Sequence, residues 1–95
     1  KRMNAKVDRI FIGLSPDHGI LTARIYFDLA DGSSQGSPYK SLGGEYLAKF
    51  VEGICKVFDV NNILDIVGKP CVISGSYTNI DSVCNFLDQS KSYNF

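Results

Sequence analysis

The first candidates for covalent or proton-transfer chemistry in this chain are one histidine, His18, three cysteines, Cys55, Cys71 and Cys84, and the serine-rich stretch "GSSQGS" with Ser33, Ser34 and Ser37. His18 directly follows Asp17, and neighbours in a turn point apart, so the two make no orienting dyad and a turn role is expected. The serines lack the strand-to-helix setting of a nucleophile elbow. Three cysteines at wide spacings fit neither a disulfide framework nor a zinc site built from close cysteine pairs. Their apolar contexts predict reduced, buried small hydrophobes. One histidine with scattered carboxylates offers no usual transition-metal site. With no base, nucleophile and orienting group converging, the chain is not expected to be an enzyme, and no cofactor is expected.

Binding chemistry has more to work with. "GSSQGSPYKSLGG" ends where a helix begins, so backbone amides from Gly32 to Tyr39, with the side chains of Gln35 and Lys40, could hold an anion. It lacks both the P-loop ending and a dinucleotide fingerprint. Tyrosine suits protein contacts, and the chain has Tyr26, Tyr39, Tyr46, Tyr77 and Tyr93. Tyr26 is expected on the wet face of its strand beside Arg24. The candidate partner- or ligand-binding set is therefore Arg24, Tyr26, Ser34, Gln35, Gly36, Tyr39 and Lys40.

Charge narrows the partners. Ten basic and ten acidic residues give a formal net charge of zero, and neither sign forms a block, so direct nucleic-acid or anionic-membrane binding is not expected. No apolar run approaches the roughly 20 residues that span a bilayer. The start "KRMNAKVDRI" has no secretory hydrophobic segment, which predicts a cytoplasmic protein.

The elements that must position these residues follow from periodicity. A length of 95 residues with 44% hydrophobic content fits one small domain over residues 1–95. "VDRIFIGL" reads as a strand. In "GILTARIYFDL", Leu21, Ala23, Ile25, Phe27 and Leu29 alternate with Thr22, Arg24, Tyr26 and Asp28, giving one buried and one wet face. Pro16 and Gly19 bracket Asp17 and His18, which predicts an antiparallel hairpin. "ADGSSQGSPYKSLGG" reads as a loop.

"EYLAKFVEGICKVF" is an amphipathic helix, with Leu47, Phe50, Val51, Ile54, Cys55 and Phe58 on one side and the pairs Glu45/Lys49 and Glu52/Lys56 on the other. Gly53 costs this helix about 1 kcal/mol relative to alanine, a loss that a close crossing of helix and sheet would explain. "DVNNILDIVGKP" predicts a second, short helix capped by Asn61 or Asn62, with Ile63, Leu64, Ile66 and Val67 buried and Gly68 as its stop. "CVISGSY" and "DSVCNFLD" make a second hairpin, followed by a tail that folds back through Tyr93 and Phe95 or frays. The expected fold class is α+β: an antiparallel sheet of two hairpins in ββ-α-α-ββ order, with the main amphipathic helix packed on one face.

Several of these stretches also carry a resemblance. Asp17, His18, Gly19, Ile20 and Thr22, then Gln35, Gly36 and Tyr39, then Gly68 and Lys69, and finally Asp88 before Tyr93 and Phe95 resemble the motifs of a group of small, mostly uncharacterised phage and prophage proteins. The pattern spans nearly the whole chain, with Ser37-Pro38 departing from the aromatic and glycine expected after Gln35-Gly36, and a looser ending. The resemblance implies a phage origin and a host-cytoplasm setting, but brings no activity. By analogy with anti-CRISPR proteins of this size, it suggests an inhibitor of a host defence component acting by protein contact. The alternative is a sponge for a small nucleotide signal held by the Gly/Ser/Gln loop. A homo-oligomer is compatible with either.

Overall fold

The computed structural model describes residues 1–38, 43–76 and 78–95. The chain runs β1 (Arg2–Leu14), β2 (Leu21–Leu29), β3 (Ser34–Gly36), α1 (Gly44–Phe58), a single 3-10 turn (Ile63–Ile66), β4 (Pro70–Ser76), β5 (Asn79–Asn85) and β6 (Ser92–Asn94). The strands form one six-stranded sheet, ordered β3-β2-β1-β4-β5-β6, in which every pairing is antiparallel. The class is the expected α+β, with two strands more and one helix fewer than the sequence predicts.

Each departure has a local cause. The segment read wholly as a loop contains β3, because Asp31-Gly32 closes a tight turn: the Gly32 N–H donates to Leu29 O at 3.0 Å and the Leu29 N–H to Ser33 O at 2.8 Å. At the other end of the chain the tail folds back, and β6 pairs with β5 through Val83↔Tyr93.

The second helix is one 3-10 turn. The Asn62 side chain accepts the Leu64 N–H at 2.9 Å as its cap, and Gly68, at φ +86°, follows too soon for another turn. Three residues per turn align Ile63 with Ile66, which is fully buried. Leu64 and Val67 turn outward, 63% and 49% exposed, contrary to their expected burial.

α1 lies over one face of the sheet and buries Phe50, Ile54, Val57 and Phe58. Beneath them, alternation puts Ala5 and Val7 of β1, Ala23, Ile25, Phe27 and Leu29 of β2, and Cys71 and Ile73 of β4 into the same core, and a register shift that skips Asp81 brings both Ile80 and Val83 of β5 to that face. The expected ion pairs sit on the wet side of the helix, Lys56 to Glu52 at 3.0 Å and Lys49 to Glu45 at 3.8 Å. Burying the apolar stripe, at roughly 1.5–3 kcal/mol for each large side chain, outweighs exposed pairs of a few tenths.

The expected close crossing at Gly53 is made by the tail. A Cβ there would run into the Tyr93 ring, which packs edge-on against Phe50 at 5.7 Å. Phe95 completes an aromatic cluster with Phe27, 6.5 Å between ring centres. The helix C-terminus is tied down from the same side: the Asn85 amide donates to Val57 O at 2.8 Å, and the Lys91 ammonium bridges both Asp59 carboxylate oxygens at 2.8 Å.

Candidate binding face

β-strand alternation divides the predicted site residues between two faces. Arg24 and Tyr26 point to the face opposite α1. Ser34 and Gly36 join them there, because their register partners are Asp28 and Tyr26. Gln35 pairs with Phe27 and so belongs to the helix-side face, apart from Arg24, Tyr26, Ser34 and Gly36. Tyr39 and Lys40 lie outside the described residues. Of the other tyrosines, Tyr93 is in the core cluster, Tyr46 is exposed on α1, and Tyr77 lies outside the described residues.

Among the described residues no helix covers this second face. Its centre is a stack that sequence reasoning found only in part. The Arg9 guanidinium sits 3.8 Å from the centre of the Tyr26 ring, and that of Arg24 5.1 Å from the same ring. Arg9 was not singled out from sequence. A bulge between Val7 and Arg9 shifts the register so that Arg9 rather than Asp8 faces Tyr26.

Arg24 is also held from below. Its Nε donates to Ser37 O at 2.7 Å, and Gly36 leaves the space it occupies, since a Cβ there would fall 2.5 Å from Arg24 Nε. Ser37 is itself locked: its Oγ accepts the Ile25 N–H at 3.0 Å, its N–H donates to Ile25 O at 2.8 Å, and it is 1% exposed. A serine considered for nucleophilic chemistry is thus a structural latch. Thr22, expected on the wet face, is also buried at 1%.

In the loop considered for anion binding, the amides of Gly32, Ser33 and Ser37 are spent internally. The Gly32 and Ser37 N–H groups bond within the hairpin, and the Ser33 N–H donates to the Asp31 carboxylate at 2.8 Å. Bonds from the Ser33 hydroxyl and amide hold the Asp31 carboxyl below its ordinary range. Behind the loop, Ala23, Ser37, Pro38, Tyr46, Phe50, Tyr93 and Phe95 enclose only about 10 Å³, at most the space of one water.

The remaining candidates for chemistry sit apart. Asp17 and His18 are exposed in the β1–β2 turn, closed by the Gly19 N–H on Ser15 O at 2.8 Å, so the turn expectation holds. The cysteines are free; Cys71 and Cys84 are buried, and burial pushes the Cys71 thiol up to about 12. Among the described residues, no three His, Cys, Asp or Glu side chains gather into a metal-binding group. None of their helices is long and apolar enough to cross a membrane.

Fold and face together describe a two-layer α+β domain with one sheet face covered by a helix and the other presenting an arginine–tyrosine–arginine stack. Comparison of the chain with protein-family models, with curated proteins and with solved structures gave no match.

Proposed function

We propose that the protein is a non-catalytic binding protein that docks a partner protein on the uncovered sheet face, and that it acts as a phage-encoded inhibitor of a host defence component. The observation that carries the docking part is the Arg9–Tyr26–Arg24 stack. Tyrosine and arginine dominate the energetics of protein interfaces. Here a rigid sheet and the Ser37 latch hold them in place before binding, which lowers the ordering cost of association. The phage and anti-defence part rests on the motif resemblance and sets a host-cytoplasm location. The nucleotide-sponge alternative is not favoured, because the loop amides it needs at Gly32, Ser33 and Ser37 are already bonded within the chain.

The test is protection of an invading plasmid or phage in bacteria carrying a single defined defence system, comparing the natural chain with Tyr26→Ala and Arg24→Ala. The expected result is protection against at least one system, lost in both variants while their circular dichroism is unchanged. Protection that survives both substitutions would overturn the assigned face. A low-mass nucleotide retained in native mass spectrometry would instead restore the sponge.

A further inference from the structure

β1 is bonded on both sides only over its first half. Arg2 to Lys6 pair with β4, and Val7 turns its amide and carbonyl to the residues just before β4, with the Val7 N–H on Lys69 O at 3.0 Å and the Gly68 N–H on Val7 O at 2.8 Å. From Arg9 to Leu14 the only register partners among the described residues are in β2. The Ser15 N–H bonds to Ile20 O at 2.9 Å within the hairpin. Antiparallel alternation therefore assigns the backbone groups of Gly13, Phe11 and Arg9 to the hairpin and directs those of Ile10, Ile12 and Leu14 outward. No other described segment bonds to that edge.

Exposed strand edges are normally short, charged or covered. The sheet obeys this at its two ends, where β3 and β6 have 3 residues each. The free half of β1 does not, since between Arg9 and Asp17 there is no charged side chain. Ile12 and Leu14 are 38% and 65% exposed along it.

We propose that this edge is completed by a second copy of the chain, β1 pairing antiparallel with β1 of the partner across a two-fold axis at Ile12. The edge is self-complementary in one register. With Ile12 opposite Ile12, Ile10 meets Leu14, Phe11 lies over Gly13 and Arg9 meets Ser15, so apolar groups face apolar groups and no like charges face each other. Phe11 beside Gly13 is the aromatic–glycine arrangement that sheets use to cover a bare backbone. Shifting by two residues one way sets Leu14 against the bulge at Asp8. Shifting the other way sets Ile10 against Pro16, which has no N–H to give. A one-residue shift mismatches the outward-pointing bonds.

Analytical ultracentrifugation of the full chain over a concentration series tests this. The expected result is a reversible monomer–dimer equilibrium. Ile12→Lys places two ammonium groups on the axis and raises the dimer dissociation constant at least about 100-fold with unchanged circular dichroism. Leu87→Lys, at an exposed site on the far side of the sheet, leaves it unchanged. In a mixed-isotope sample, nuclear Overhauser contacts join the Phe11 ring of one chain to the Gly13 Hα of the other. A chain that stays monomeric up to its solubility limit, a dimer that survives Ile12→Lys, or a dimer lost in Leu87→Lys overturns the proposal. The dimer persists in Tyr26→Ala, so this proposal and the docking face fail separately.

Discussion

Val7 and Ile12 stand on one strand, face the same side of one sheet, and differ in exposure from 1% to 38%. Val7 lies where β1 is flanked by β2 on one side and by the Gly68–Lys69 segment on the other. Ile12 lies where the β1–β2 hairpin has lost its second neighbour. Both residues are apolar and β-branched, so their own side-chain chemistry does not account for the difference. Cover separates them: the body of the domain has the helix and four further strands to pack against, whereas among the described residues the far end of the hairpin pairs only with itself. One strand thus serves as scaffold along half its length and as available surface along the other half.

Breaking the body should cost most. Phe27→Ala removes a fully buried ring that meets Phe95 and should lower unfolding free energy by about 3–5 kcal/mol in urea titration, whereas Ile12→Thr should cost under about 1 kcal/mol at concentrations where the chain is monomeric. Equal costs would erase the distinction between the regions.

A smaller effect sharpens the role of the tail within the body. Gly53→Ala gains about 1 kcal/mol of helix propensity but displaces the Tyr93 ring, so a net loss of about 1–2 kcal/mol is expected, with faster hydrogen exchange at Tyr93 and Phe95. Net stabilisation would mean that the tail is not seated on the helix.

An effect that vanishes at neutral pH, and is the smallest there, is a pH dependence of the body. The folded thiol of Cys71 is raised from 9.0 to about 12, so its neutral form is favoured by folding. That contribution is complete below pH 9 and is lost as pH rises from 9 towards 12, where the unfolded thiol ionises and the folded one does not. Cys71→Ala should flatten this part of the stability curve. At neutral pH, an alkylating reagent should modify half-buried Cys55 before Cys71 or Cys84.

The strands around Phe27 and Val83 and the helix around Ile54 were legible in the sequence, because periods of 2 and 3.6 record which side of an element is buried. The Asp31-Gly32 turn that creates β3 was also present as a signal, overshadowed by the polar composition around it. The 3-10 turn was not legible, since Ile63, Leu64, Ile66 and Val67 suit either a short α-helix or one tighter turn, and Gly68 decides between them only through its distance from the cap. Two of the three stacked residues, Tyr26 with Arg24, followed from alternation. Arg9 did not, because a bulge breaks alternation by one residue and leaves no mark in a single sequence.

The sequence alone determined which residues alternate, where the main helix begins and ends, and that Asp17-His18 is a turn, all consequences of local geometry within a few residues. Tertiary structure alone decided that Ser37 latches Arg24 across 13 positions, that Tyr93 fills the space at Gly53, and that half of β1 has, among the described residues, a strand neighbour on one side only. These depend on which distant segments become adjacent, and adjacency is set by how the whole core packs rather than by the character of any one stretch.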